Sequence, residues 1–67
     1  GEVRNCLIKQ NVFGQKYLIY HYVDKLADKT TDVSVAVYPR DSYSVNITLP
    51  AVLTEEYDYF LQSIIFL

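Results

Sequence analysis

The sequence predicts an α+β fold: a four-stranded antiparallel sheet of two consecutive hairpins, with one C-terminal helix packed on one face. Three features carry this expectation. Two β-branched and aromatic runs flank a glycine-containing turn between Val3 and Val23, period-two patterns run over Val33 to Val37 and Tyr43 to Leu49, and a capped amphipathic segment begins at Thr54.

In the first hairpin, Cys6-Leu7-Ile8 and Tyr17 to Val23 are separated by Asn11-Val12-Phe13-Gly14-Gln15, where Gly14 takes a positive φ at no steric cost. A turn symmetric about Phe13-Gly14 sets Ile8 opposite Ile19, Leu7 opposite Tyr20 and Cys6 opposite His21. A one-residue bulge would shift these pairs and exchange the faces. Asp24 to Asp32 (DKLADKTTD) interrupts the apolar pattern with charges and threonines and reads as a connector with a helical turn around Leu26-Ala27.

In the second hairpin, Val33, Val35 and Val37 alternate with Ser34 and Ala36, and Tyr43, Val45, Ile47 and Leu49 alternate with Ser44, Asn46 and Thr48. Placing Val37 opposite Tyr43 leaves Tyr38-Pro39-Arg40-Asp41-Ser42 as the loop, with Pro39 preset for a turn. Pro50 ends the fourth strand, because it cannot donate to a ladder. Thr54 supplies an N-cap hydroxyl, and Glu55 and Glu56 place negative charge in the positive first turn of a helix. Tyr57, Phe60, Leu61, Ile64 and Leu67 then form one stripe, expected on the Val33/Val35/Val37/Val45/Ile47 face of the sheet.

A chain of 67 residues holds one small domain, and 51% hydrophobic with 21% charged residues is too apolar for a disordered segment. A single cysteine excludes an internal disulfide, and no Cys/His set is spaced for zinc, so packing or a partner supplies the stability. The longest apolar runs, Leu49 to Leu53 and Ile64 to Leu67, are far short of a membrane span, and no leader pattern opens the chain. The domain therefore reads as soluble and cytoplasmic. The absence of methionine and the start at Gly1 read as a segment excised from a longer protein or carrying a tag remnant. The apolar end at Leu67 reads as buried or continuing. Residues 1–33 carry five basic against four acidic side chains, and residues 34–67 one against four. A pI near 5.0 lacks the basic footprint of duplex DNA binding.

The open face of a solitary sheet should be polar, and Ser34, Ser44, Asn46 and Thr48 meet that expectation. The second strand does not: it offers Tyr17, Ile19, His21 and Val23 to one side and Leu18, Tyr20 and Tyr22 to the other. Together with Ala36, Leu7 and Tyr38 this predicts an apolar patch, and Tyr59 and Phe66 fall opposite the buried helix stripe. The expected partner-binding residues are Leu18, Tyr20, Tyr22, Tyr38, Tyr59 and Phe66. Amphipathic tyrosines lying on a sheet with their hydroxyls in water are the plain alternative. Base stacking on the same face, bordered by Lys9, Lys16 and Arg40, would make a single-strand nucleic-acid binder, which the acidic balance disfavours.

No arrangement for catalysis assembles. Cys6 and His21 would meet across the strands, but no oxyanion donor or orienting carboxylate accompanies them. Asp24, Asp28 and Asp32 lack calcium-loop spacing, Glu55 and Glu56 point in different directions on a helix, and no Gly-rich turn cradles phosphate. Asn46-Ile47-Thr48 is a formal glycosylation sequon. The sequence thus predicts a non-enzymatic protein–protein interaction or oligomerisation module that forms a homodimer with a second copy or meets a neighbouring domain. It predicts no cofactor, no metal, no small-molecule substrate and no membrane partner.

Overall fold

The computed structural model describes residues 1–67 and contains β1 (Glu2–Gln10), β2 (Lys16–Leu26), β3 (Lys29–Pro39), β4 (Ser44–Pro50) and α1 (Glu55–Ser63). The four strands form one antiparallel sheet in the order β1-β2-β3-β4, with α1 on one face, as the alternation and the capped segment predict.

The registers differ from the expected ones. In the first hairpin Ile8 pairs with Leu18 and Leu7 with Ile19, one residue from the expected pairs, because the turn closes around Asn11 to Gln15 instead of pivoting on Phe13-Gly14. A bulge at Asn5-Cys6 then inserts one residue, so that Arg4 rather than Cys6 lies opposite His21 and Val3 lies opposite Tyr22. Asn5 takes a left-handed φ of 54° there, a conformation its short polar side chain tolerates better than most.

The expected connector is a hairpin. β2 and β3 continue to the pair Leu26↔Lys29 around the two-residue turn Ala27-Asp28, and the pairs beyond Val23↔Asp32 project past β1 and β4. Its charges and threonines are those of a ribbon wet on both sides, which leaves no apolar alternation to read. Ala27 carries a φ of 53° at the first turn position, where glycine is normally found in type II′ turns.

In the second hairpin the loop is Arg40 to Tyr43, closed by the Arg40 amide donating to the Tyr43 carbonyl (2.8 Å), and Tyr38 pairs with Val45. Relative to the expected pairing of Val37 with Tyr43 this is an odd shift, and an odd shift exchanges the faces of β3. The helix therefore covers Tyr17, Ile19, Ser34, Ala36, Tyr38 and Leu49, with Leu61 as its own fully buried residue. Val45 and Ile47 pack against this core as expected, whereas Val33, Val35 and Val37 lie on the other side.

Helix α1 begins as predicted, with the Thr54 hydroxyl accepting from the Tyr57 amide (3.4 Å) and Glu55, Glu56 and Asp58 in the first turn. It stops at Ser63, short of the expected continuation to Leu67, with no glycine cap and no basic side chain in its last turn. The carbonyls freed at a helix end must be satisfied from elsewhere. Tyr38 donates its hydroxyl to Leu61 (2.6 Å), the Val12 amide donates to Gln62 (3.0 Å), and Asn11 Nδ2 donates to the carbonyl of Ile64 (2.8 Å). Beyond the helix, Gln15 grips the backbone of Phe66 from both sides, its Nε2 donating to the carbonyl (2.8 Å) and its Oε1 accepting from the amide (3.2 Å). The extended course turns Phe66 inward onto Tyr38 and leaves Leu67 in solvent; within the helix Phe60 is 51% exposed, so neither Phe60 nor Leu67 joins the predicted buried stripe.

These contacts set the expected response to two substitutions. Asn11→Ala removes acceptors for the Phe13 and Gln15 amides and a donor to Ile64 at a buried position, and should lower unfolding free energy in urea by about 2–4 kcal/mol. Ala27→Gly relieves a left-handed backbone and should raise it by about 0.5–1 kcal/mol.

Candidate protein interface

The face of the sheet away from α1 is ordered in rows across the strands. Ile8, Leu18 and Val37 form one row, ending in Asn46 on β4. Tyr20 and Val35 form the next, ending in Thr48. Val3, Tyr22 and Val33 form the third, ending in Pro50. Ile8 is 75% and Val3 55% exposed, and no element covers the other members of the patch. Ser44, Asn46 and Thr48 make β4 a polar margin, and Lys16 at the start of β2 and Asp24 two residues before its end lie on the same side. The Tyr22 hydroxyl donates to Asp24 (3.3 Å), and the Asp24 charge, with some burial, pushes the Tyr22 phenol above its ordinary pKa.

The structure brings together three of the sequence-predicted residues, Leu18, Tyr20 and Tyr22, on this open face. Tyr38 is corrected: the β3 register turns it under the helix, where it is buried, stacked on Tyr17 (centroids 4.8 Å) and met at a tilt by Phe66 (4.9 Å). Ala36 and Leu7 likewise lie on the helix side, and Ser34, expected outward, is buried there. Phe66 is corrected with Tyr38, packed against the core beneath the Arg40 guanidinium (5.6 Å). Tyr59 is 75% exposed, but on the helix layer and apart from the sheet face. Val3, Ile8, Val33, Val35 and Val37 belong to the open face without having been expected there. The signal for the three valines was the Val-x-Val-x-Val run itself, which shares its side with Leu18, Tyr20 and Tyr22 in every register of the same parity.

On the helix side, a cleft of about 220 Å³ is lined by Leu7, Ile19, Leu53, Lys9, His21 and Ser34 among others, smaller than the usual ligand pocket. Three of its polar side chains are engaged within the chain. Lys9 Nζ meets Asp58 (3.2 Å), His21 Nε2 meets Asp32, and the Ser34 hydroxyl donates to the Ala51 carbonyl (3.1 Å). Ser34 is the cross-strand neighbour of His21, but its hydroxyl is hydrogen-bonded to the Ala51 carbonyl and makes no hydrogen bond to the imidazole. Cys6 is exposed in the bulge and does not face His21, which corrects the expected cross-strand pair. No three His, Cys, Asp or Glu side chains converge on a point that could hold a metal ion, and no helix is long and apolar enough to cross a membrane.

No known family model, curated protein or solved structure matches the chain.

The two stacked tyrosines of the core differ in a testable way. The Tyr17 hydroxyl is buried without a partner, and burial together with the Asp58 charge raises its pKa. Burial, and secondarily Tyr17, push Tyr38 up to about 12. A phenol whose folded pKa lies above its unfolded value near 10 contributes stability below pH 10 that is lost as pH rises toward 12, because only the unfolded chain releases the proton in that window. Denaturant midpoints should fall between pH 10 and 12, less steeply in Tyr38→Phe than in the parent. At neutral pH, Tyr38→Phe should cost about 1–2 kcal/mol by orphaning the Leu61 carbonyl, whereas Tyr17→Phe should be neutral or stabilising.

Proposed function

We propose that this chain is a non-enzymatic protein–protein interaction module that pairs with a second copy of itself through the open face of its sheet. One observation carries the reading: a contiguous apolar surface, Val3, Ile8, Leu18, Tyr20, Tyr22, Val33, Val35 and Val37, on a face that no element of the fold covers. Large contiguous patches of this kind on a soluble fold mark interaction sites.

Area supports the same reading. The accessible surface is 4948 Å², whereas size scaling gives about 4,400 Å² for a folded monomer of 7.8 kDa. The excess is that of a flat molecule, 16 Å thick and 41 by 29 Å across, with one of its two broad faces uncovered. A two-layer domain of this size buries few residues completely, and stacking a second copy on the open face would convert the sheet from half-covered to fully covered. Tyr20 and Tyr22 supply large, stiff contact area at low entropic cost, with β4 as the wet margin.

Light scattering over a hundredfold concentration range should give a mass near twice 7.8 kDa at the upper end. Tyr20→Asp should return the chain to the monomer mass with an unchanged far-ultraviolet circular dichroism spectrum. A parent chain at 7.8 kDa throughout the range would contradict the reading.

A further inference from the structure

The open face is self-complementary about its middle row, and this points to one arrangement. We infer that the second copy stacks face to face with the β2 strands antiparallel and the two-fold axis passing between the two Tyr20 side chains. The inference rests on the reading that the open face is a contact between copies, and it adds the symmetry, the facing residues and the charges that select them.

The rows supply the first argument. Leu18 and Tyr22 lie two residues to either side of Tyr20, and Val37 and Val33 two residues to either side of Val35. On β1, Ile8 sits at the level of Leu18 and Val3 at the level of Tyr22. A two-fold axis in the plane between the sheets and perpendicular to the strands exchanges the outer rows and keeps the middle one. It sets Leu18 against Tyr22 of the second copy, Val37 against its Val33 and Ile8 against its Val3, so every apolar residue meets an apolar residue.

The bulge in β1 is what makes this match possible. Without the extra residue, the side-chain alternation running from Ile8 would bring Arg4 to the open face beside Tyr22 and bury a cation in the contact. With it, Val3 takes that place and Arg4 turns to the other side, where it pairs with Glu2 (2.9 Å).

Charge decides between the two possible symmetries. Lys16 stands four residues before Tyr20 and Asp24 four after, on the same side of β2 by the strand period. Lys16 has no carboxylate partner in its own chain, and Asp24 accepts from the Tyr22 hydroxyl (3.3 Å) and lies 3.7 Å from the Gly1 amino group. Antiparallel stacking brings Lys16 of each copy over Asp24 of the other, two opposite-charge pairs in all. An axis along the strands would instead set like charges together at both ends. Aligned sheets cross at about 30°, a displacement that a lysine side chain spans. A face inscribed in 41 by 29 Å has room for the area, about 800 Å² per partner, of a standard interface.

The test is a charge exchange read by sedimentation equilibrium at low salt. Lys16→Glu alone sets a second carboxylate against Asp24, and Asp24→Lys alone sets a second ammonium against Lys16, so each should weaken self-association about tenfold. In an equimolar mixture, the mixed dimer joins one chain of each variant and faces like with unlike at both ends, so association should be as tight as in the parent. The differences should vanish in concentrated sodium chloride, where screening shortens the reach of these charges to about 3 Å. A mixture no tighter than either variant alone would overturn this arrangement, as would variants that associate like the parent. If those results come while the parent dimerises and Tyr20→Asp does not, the antiparallel arrangement alone falls. A parent that stays monomeric would instead remove the reading on which it rests.

Discussion

Asn11 stands where loop, sheet and helix meet, and its side chain is used in full. Its Oδ1 accepts from the amides of Phe13 (3.0 Å) and Gln15 (2.7 Å), and its Nδ2 donates to Gln15 Oε1 (3.0 Å) and to the carbonyl of Ile64 (2.8 Å). The same side chain thus builds the first turn and ends the helix. Gln15, oriented by that network, holds the backbone of Phe66, and the Phe66 ring packs at a tilt against Tyr38. A helix this short has little stability of its own and is held by what packs on it and caps it. Because the caps come from the β1–β2 loop and from Tyr38, the helix can lie on one face of the sheet only.

That choice of face governs everything exposed. The covered side of β3 presents Ser34, Ala36 and Tyr38, small at one end and aromatic at the other, and the Tyr38 hydroxyl reaches the Leu61 carbonyl of the helix from it. The valines of β3 are consequently turned away, onto the side that already carries Leu18, Tyr20 and Tyr22. A sheet with valine on three alternate positions and no cover is a poor solution for a solitary domain and a good one for a domain that stacks. The same register therefore gives both the covered core and the surface proposed to meet a second copy.

Much of this was legible locally. The fold class, the alternation in each strand and the Thr54 cap follow from neighbouring residues, and Leu18, Tyr20 and Tyr22 share a face by the period of β2 whatever they pair with. What was not legible depends on partners distant in the chain. An odd shift in the second hairpin moved Tyr38 inward and Val33, Val35 and Val37 outward, because the loop proved to be Arg40 to Tyr43. The helix end was hidden because its caps lie on Asn11, Val12 and Tyr38, and Phe66 changed sides with it. The Asp24 to Asp32 ribbon is not legible in the sequence because a strand pair wet on both faces leaves no hydrophobic period.

The central claim, that the valine and tyrosine face joins two copies, is tested most directly by isotope-filtered NOE spectroscopy on a mixture of labelled and unlabelled chains. The account predicts intermolecular contacts between the rings of Tyr20 and Tyr22 and apolar side chains of the same face, with Leu18 meeting Tyr22. Intermolecular contacts confined to Tyr59, Phe60 and Leu67 on the helix layer would contradict it.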